Sequence, residues 1–381
     1  MDFDLTEEQR LLQDSVARLL TDRYGFEQRK AFMASPEGWG REIWAQYAEL
    51  GLLGLSFAED EGGFGGSHVE TMLVAEQLGK AIALEPWIPT VVTGGGFLRH
   101  GATAELRGAL VPQIAGGELR LAFAHTERQS RYDLNDVATT AKRDGSSWVL
   151  NGRKGMVVHG DSAGKLIVTA RTAGGQRDHK GIGVFLVDAV GPGVTRRGYR
   201  TVDGQRAAEV ELSNARAEAV LGNPEDGLPL VDQVVDETIV ALAAEAVGCM
   251  QVAHDMTIDY MKTRKQFDRP IGSFQALQHR AADMLVQLEQ ARSMSYFAAM
   301  GVEERDPAER RKNMASVKVQ IGRSARFVGQ QSIQLHGGIA MTMEYAAGHY
   351  FKRLTVNDGT FGDADYWVRF LSDTGGLVAA A

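Results

Sequence analysis

The sequence predicts a multidomain protein with a helical N-terminal domain, a central antiparallel β-domain and a C-terminal bundle of long helices. Three observations carry this prediction: the length of 381 residues, a change of hydrophobic period near residue 118, and a return to helical period after about residue 225. A chain of this length can form two or three domains with a large core. The predicted domains are 1–117, 118–216 and 217–381.

The first block reads as helical. Thr6 and Gln9 form a T-x-x-Q capping-box pattern, which predicts the start of a helix, and apolar residues at helical spacing follow it. The stretch EGGFGG, residues 61–66, then interrupts the helical pattern before the next apolar run begins. It lacks the lysine of a phosphate-binding loop and no apolar strand leads into it, so we interpret it as a turn.

The second block changes to a period of two. It contains several short runs rich in β-forming residues, with no helical pattern between them. The dipeptides Asp144-Gly145 and Asn151-Gly152 are typical of tight turns between strands. These features predict an antiparallel sheet or a small barrel.

The third block returns to a helical period. From residue 277 onward the apolar positions Ala281, Met284, Leu288 and Ala291 form one stripe of a long helix, and neighbouring segments show similar stripes. Pro270 separates this helix from the one before it. The pattern predicts a bundle of long helices.

The composition excludes several classes of function. The net charge of −8 does not favour binding to nucleic acid, and the single cysteine, Cys249, excludes an intrachain disulfide and a four-cysteine zinc site. No apolar run reaches the ~18 residues of a membrane span, and the acidic N-terminus lacks a signal-peptide pattern. We therefore expect a cytoplasmic protein with no membrane span and no metal site.

Four segments carry a family resemblance. They are TRKQFDRPIGSFQ from Thr263, QLHGGIAM from Gln334, LAFAHTE from Leu121, and WVLNGRKGMVVHG from Trp148. In their order along the chain, these segments resemble the signature segments of the acyl-CoA dehydrogenase family, and the resemblance covers essentially the whole chain. Within the family, the chain is most similar to the small subunit of pimeloyl-CoA dehydrogenase-like heteromeric enzymes.

The resemblance implies a reaction and a cofactor. Family members oxidise an acyl-CoA thioester to its 2,3-enoyl product: a carboxylate removes the α-proton, and a hydride leaves the β-carbon for FAD. Electrons then pass to an electron-transfer flavoprotein. Each flavin lies between two subunits. The residues that the resemblance places at FAD are His125, Thr126, Met156, Val158, Arg264, Phe267, Gln334, Gly337 and Gly338.

The chemistry of the C-terminal residues suits this assignment. Arg264 offers a planar fork of donors that matches a pyrophosphate, and Phe267 can cover an aromatic ring. Gly337 and Gly338 have no Cβ atoms, so the backbone there can approach a nucleotide closely. Gln334 can both donate and accept a hydrogen bond at adenosine or ribose.

The flavin-ring half of the site departs from the family pattern. Where relatives carry a small-residue loop, P-G-A-G-S-D, this chain has RQSRY, residues 128–132, with Arg128 and Arg131. These larger side chains either obstruct a close backbone approach or bind a phosphate or carboxylate. Val158 also stands where relatives have a hydroxyl that bonds flavin, and His159 follows it. A histidine in a β-domain is more often structural than catalytic.

The position of the catalytic base departs as well. Counting without gaps from the Gly-Gly motif places Phe361 at the usual glutamate, and phenylalanine cannot accept a proton. A gapped alignment places Asp358 there instead. A second base position of the family falls at Thr238, beside Glu237. Glu237 and Asp358 are therefore both weak candidates for the base.

Two further aspartates lie close to Phe361. Asp363 and Asp365 do not fit a calcium-loop pattern, and we predict that they form a solvated loop and a helix cap.

The predicted function is that of a base-lacking subunit of a heteromeric, FAD-dependent acyl-CoA dehydrogenase. The expected partners are an acyl-CoA substrate, an electron-transfer flavoprotein and a second dehydrogenase-like subunit, in a homo-oligomer or heterotetramer. Two alternatives stay open: a self-sufficient homotetrameric dehydrogenase, and a non-catalytic scaffold or acyl-CoA-binding subunit. The sequence leaves the acyl chain open among dicarboxylic, steroid and fatty acyl groups.

Overall fold

The computed structural model describes residues 4–376, which form two compact units. We call residues 4–29, 68–83 and 239–376 the helical unit, and residues 30–67 and 84–238 the sheet unit. Both units draw on the N-terminal block, so the grouping in space differs from the order of element types along the chain. The predicted boundaries at residues 117 and 216 stay a prediction.

The first block is helical, as predicted. Its helices are α1 (Glu7–Arg23), α2 (Phe26–Ala34), α3 (Arg41–Glu49), α4 (His68–Ala81), α5 (Gly95–Gly101) and α6 (Ala104–Ala115), and a π-helical segment, Ile88–Gly94, leads into α5. The capping box is confirmed at α1: Gln9 N donates to Thr6 Oγ1 at 3.2 Å, and Thr6 N donates to Gln9 Oε1 at 3.0 Å. The two bonds satisfy backbone donors that the first helical turn leaves unpaired.

The second block forms one sheet of seven strands. They are β1 (Leu121–Ala124), β2 (Thr140–Asp144), β3 (Ser147–Val158), β4 (Lys165–Arg171), β5 (Ile182–Asp188), β6 (Val194–Arg200) and β7 (Arg206–Leu221). The pairings join β4, β2, β3, β7 and β5, and β5 pairs again with β4, which closes a small barrel. Most pairs are antiparallel, but β1 runs parallel to β4, as does the single pair between β2 and β4. Alanine, valine, leucine and phenylalanine side chains fill the interior.

One of the two predicted turns is wrong. Asp144-Gly145 closes the β2–β3 hairpin, with Gly145 at a φ of 63°. Asn151-Gly152 lies instead inside β3, where the register against β7 shifts between Leu150 and Gly152. A bulge inserts a residue into a strand without ending it. A Cβ at Gly152 would lie 2.4 Å from Thr139 Oγ1, so close packing explains the glycine.

The third block is a bundle of long helices, as predicted. Its elements are α7 (Leu228–Thr263), a two-residue hairpin of β8 (Lys265–Gln266) and β9 (Arg269–Pro270), then α8 (Gln275–Gly301), α9 (Pro307–His336), α10 (Ala346–Gly359) and α11 (Ala364–Asp373). The predicted stripe on α8 is confirmed, because Ala281, Met284, Leu288 and Ala291 are all buried. The helix α9 packs against α8, α10 and α11. Between residues 4 and 376 no helix is long and apolar enough to cross a membrane.

Candidate active site

Arg264 and Phe267, which follow α7, are exposed on the surface of the helical unit. Arg264 follows the helix directly, and its guanidinium makes no hydrogen bond or ion pair with another residue of the range 4–376. Phe267, at the turn of the β8–β9 hairpin, is 85% exposed and has a φ of 55°. A positive φ is unfavourable for a bulky residue, and exposing a phenylalanine forgoes its burial. Both features indicate a ring that is presented to another molecule.

The end of α9 in the helical unit also has exposed residues. Gln334 is exposed in the last turn of α9, and Gly337, whose φ is 67°, caps the end of the helix. A Cβ added at Gly337 or Gly338 would meet no atom within 4 Å. The missing side chains therefore leave open space above the backbone, which a ligand can occupy.

In the sheet unit, His125 and Thr126 follow β1. The imidazole of His125 stacks on Phe123, with ring centroids 4.6 Å apart, and its Nε2 lies 3.1 Å from Thr126 Oγ1. Burial, and secondarily the charge of Lys154, lower the pKa of His125 to about 3. The imidazole is therefore neutral at pH 7.

Met156 and Val158 lie on β3 at a second bulge. The register against β7 shifts again between Lys154 and Val157, and Met156 adopts a φ of 49° with 47% of its side chain exposed. The bulge turns a large apolar side chain outward at the end of the strand. Val158 is half-buried, and neither side chain offers a hydroxyl. His159 is fully buried, which fits the structural role expected for it.

An ion pair that the sequence reasoning missed lies behind these residues. Lys154 Nζ is fully buried and donates to Glu127 Oε1 at 2.7 Å and to Thr169 Oγ1 at 3.1 Å. Burial alone would raise the pKa of Glu127, but the charge of Lys154 and the hydrogen bonds that the carboxylate accepts lower it to about 2. A lysine at an inward-facing position of a strand was the available signal, because a buried ammonium needs an anionic partner.

Glu127 also organises the loop that departs from the family pattern. Its carboxylate accepts hydrogen bonds from the backbone of Ala138 and Thr139, at 2.9 and 3.0 Å. The loop residues Arg128 and Arg131 point to solvent, and Arg131 has a φ of 47°. The loop is thus closed by a buried carboxylate, while its two cations face outward.

Both oxygens of Glu237 are engaged within the sheet unit. Arg99 Nη2 donates to Oε2 at 2.6 Å, and His100 Nε2 lies 2.5 Å from Oε1. Glu237 is buried, and the neighbouring Thr238 hydroxyl bonds to the Val234 carbonyl at 2.7 Å. A carboxylate held by two partners is poorly placed to take a proton from a ligand.

Asp358 is engaged within the helical unit. It lies inside α10, and Arg326 Nη2 donates to its Oδ2 at 3.1 Å. Its other oxygen packs against α9, where a Cβ on Gly322 would lie 2.1 Å away. Both oxygens therefore face the packed contact between α9 and α10.

Phe361 follows α10 in the turn before α11. Its φ is 56°, and its carbonyl accepts a hydrogen bond from Trp367 Nε1 at 3.0 Å. Lys318 stabilises the turn: its buried Nζ donates to the carbonyls of Asn357, Asp358 and Thr360. Phe361 thus occupies a fixed turn outside the helix, whereas Asp358 lies inside it.

The cap predicted for Asp363 is confirmed. Its Oδ1 accepts a hydrogen bond from Tyr366 N at 2.9 Å, which caps α11. Asp365 is exposed in the first turn of the same helix, where a negative charge is favourable.

Comparison with known proteins identifies the family. Three models match almost the whole chain in order: the N-terminal domain of acyl-CoA dehydrogenase over residues 6–118, its middle domain over 122–215 and its C-terminal domain over 225–370. The chain belongs to the acyl-CoA dehydrogenase family. A probable acyl-CoA dehydrogenase of Bacillus subtilis, YngJ, is 30% identical over 374 residues, which cover 94% of this chain and 96% of YngJ.

Solved structures of relatives share the fold over nearly the full length. A variant of the Tcur3481-Tcur3483 steroid ACAD is 30% identical, with a TM-score of 0.87 and 97% of each chain covered. A chain of a structure described as the electron transferring flavoprotein of Acidaminococcus fermentans is 28% identical, with a TM-score of 0.87 and 98% of each chain covered. The prediction of an acyl-CoA dehydrogenase-like, three-block fold is therefore confirmed.

Membership of the acyl-CoA dehydrogenase family implies FAD as the cofactor. Three features of the helical unit fit its adenosine diphosphate part: the Arg264 guanidinium has no partner among residues 4–376, the Phe267 ring is exposed, and the Gly337-Gly338 pair is open. The residues of the sheet unit fit a flavin ring as apolar surface and backbone, through Met156, Val158 and the segment at Thr126. The residues that the sequence predicts at FAD are thus divided between the two units.

Proposed function

We propose that this chain is the base-lacking subunit of a heteromeric, FAD-dependent acyl-CoA dehydrogenase. The observation that carries the proposal concerns the candidate base positions within residues 4–376. Phe361 stands where the ungapped alignment places the base, while Glu237 and Asp358 are each bound by an arginine. A partner subunit of the same family then supplies the base. We also propose that this chain corresponds to the small subunit of pimeloyl-CoA dehydrogenase-like enzymes.

The chemistry of the family explains why this absence matters. The reaction removes the α-proton of the thioester and transfers a hydride from the β-carbon, and FAD, when bound, supplies the hydride acceptor. General-base catalysis typically contributes about 10²–10⁴-fold to such a step. Without a base, this chain binds and positions FAD through Arg264, Phe267 and the Gly337-Gly338 segment.

One solved relative supports the proposal of a two-component assembly. The Tcur3481-Tcur3483 steroid ACAD is named for two components, and this chain matches one of its chains at 30% identity. The Acidaminococcus structure is described as an electron transferring flavoprotein, and we propose a protein of that class as the electron acceptor here. The substrate is an acyl-CoA, with the acyl chain to be found by assay.

The decisive experiment compares the pure homomer with a co-expressed assembly. The second subunit is chosen as a family member that retains a glutamate at the position of Phe361. Dye reduction is measured with dicarboxylic, steroid and fatty acyl-CoAs in the presence of added FAD. We expect a residual rate for the homomer and about 10²–10⁴-fold more for the assembly. Robust turnover by the homomer would contradict the proposal, and no turnover in any assembly would favour a scaffold or acyl-CoA-binding subunit.

Two isosteric variants locate the base within the assembly. Glu237→Gln and Asp358→Asn should leave turnover nearly unchanged, because neither carboxylate reaches the reacting carbon in this proposal. Flavin content and melting temperature are measured alongside, since each substitution weakens an ion pair. A large loss of turnover with normal flavin content in either variant would identify that residue as the base.

A further inference from the structure

The sheet unit contains a cleft of about 870 Å³ whose lining includes none of the residues predicted at FAD. It lies where the start of β1, the segment after β3, and the residues around α3 meet. This volume is within the range of about 300–1,000 Å³ that is typical of small-molecule sites. Its lining comprises Pro36, Glu37, Trp39, Arg41, Trp44, Ala45, Gly116, Gly117, Arg120, Asp161, Ser162, Ala163, Gly164, Val190, Arg196, Gly198 and Arg206.

The cleft is rich in arginine. Four guanidinium groups line it against only two carboxylates. Arg206 pairs with Asp161, and Arg41 pairs with Glu37 at 2.5 Å, while Arg120 has no acidic partner among the residues that the structure describes. The lining therefore carries a positive excess, which favours an anion.

Two of these arginines are held in place by one short segment. Arg196 Nη1 donates to the carbonyls of Gly160 and Ala163, both at 2.9 Å, and Arg120 Nε donates to the Ser162 carbonyl at 3.0 Å. Arg120 also lies over the ring of Trp39, 5.4 Å from its centroid. These contacts use one edge of the Arg120 guanidinium and fix its plane, and they leave its two Nη groups without partners among residues 4–376.

Two other polar groups of the lining are buried and unpaired. The indole Nε1–H of Trp39, a residue only 4% exposed, has no acceptor within the described chain, and Asp161 Oδ1 has no donor. A buried polar atom without a partner costs free energy, so such atoms commonly mark where a ligand or water binds. The cleft thus offers donors for an anion and one acceptor for a hydroxyl or amino group.

We propose that this cleft binds a hydroxylated organic phosphate of nucleotide size, such as a nucleoside diphosphate. The phosphate oxygens accept from the Nη groups of Arg120 and from Trp39 Nε1, and a ribose hydroxyl or base amino group donates to Asp161 Oδ1. The exposed Arg41 lies at the rim, where it adds charge. The inference concerns the sheet unit alone and does not rest on the proposed dehydrogenase function.

The test is calorimetric titration of the full chain with ADP, carried out in an Arg264→Ala background. That background removes the expected contact of an ADP group at the flavin half-site. We expect saturable binding of ADP, and weaker binding of both inorganic phosphate and adenosine. Arg120→Gln should weaken ADP binding at least about tenfold, because a charged donor to phosphate is lost. The exposed Arg143, outside the cleft, provides the charge-matched control, and Arg143→Gln should not change the affinity.

A second variant keeps the proposal falsifiable if Arg120→Gln does not fold. Arg41 is 75% exposed, so Arg41→Gln should fold normally and still weaken ADP binding several-fold. The proposal is overturned if ADP shows no saturable binding up to millimolar concentration, or if both cleft variants bind it as well as the control does. Phosphate binding as tight as ADP binding would reduce the site to an inorganic anion site and would also overturn the proposal.

Discussion

At the scale of single residues, the arginines of this chain divide into those that hold carboxylates and those that are free to bind. Arg99 and Arg326 hold Glu237 and Asp358, the two weak candidates for a base. Arg264 makes no side-chain contact of that kind within residues 4–376. The same guanidinium chemistry therefore engages two carboxylates and leaves the guanidinium of Arg264 without a partner among residues 4–376.

Arg264→Ala should weaken FAD retention in the co-expressed assembly. The lost bidentate contact to a charged group is worth about 1.5–3 kcal/mol, which corresponds to a tenfold or greater increase in the FAD dissociation constant. Recovery of free flavin fluorescence after dilution measures this. The control is Arg305→Ala, which removes an exposed arginine between α8 and α9. Equal flavin loss from both variants would remove Arg264 from the site.

At the scale of elements, the turn between α10 and α11 is ordered by hydrogen bonds at both of its ends. Lys318 on α9 binds three carbonyls at the end of α10, and Asp363 caps the start of α11. Both interactions satisfy backbone groups that helix ends leave unpaired. The turn between the two helices is therefore built for order, and Phe361 lies within it.

Asp363→Ala should lower the free energy of unfolding by about 1 kcal/mol, because the cap on α11 is lost. Asp365→Ala is the matched control: its side chain is exposed, and its loss should cost only a few tenths of a kcal/mol. Chemical denaturation of both variants measures the difference. A larger loss for Asp365 than for Asp363, or a loss of turnover without destabilisation in the Asp363 variant, would contradict the capping role.

At the scale of the whole molecule, the helical unit exposes apolar surface that a monomer would leave in water. Leu285 and Val286 on α8 are 45% and 53% exposed, in addition to the displayed Phe267. Exposed apolar residues in groups commonly mark an interface. In the proposed enzyme, the residues at each FAD also come from two neighbouring subunits. These features favour an oligomer built through the C-terminal helices.

We therefore expect a dimer or a dimer of dimers in solution, by light scattering at micromolar concentration. Val286→Asp should shift the population toward monomer, because a charge would be buried without a partner. Val202→Asp introduces the same charge at a residue of the sheet unit that is 65% exposed and should leave the mass unchanged. A stable monomer of the unmodified chain would refute this assembly.

Much of the fold followed from local sequence patterns. The capping box at Thr6, the stripe on α8 and the β-period of the second block involve residues a few positions apart, and helix and strand periodicity act over that range. Asn151-Gly152 shows the limit. The dipeptide favours a turn locally, but pairing of β3 with β7 continues past it as a bulge.

The sequence by itself determined the family and the order of element types. It also predicts the loss of a base at Phe361, because a phenyl ring cannot accept a proton in any surroundings. Only the tertiary structure decided which partners the other charged side chains bind. Glu237 meets partners 138 and 137 residues away along the chain, and Lys154 meets Glu127 across 27 residues. Local sequence patterns do not predict such pairings, because these depend on how distant segments pack. A carboxylate's availability to a ligand is set by those distant partners, so it is a property of the fold.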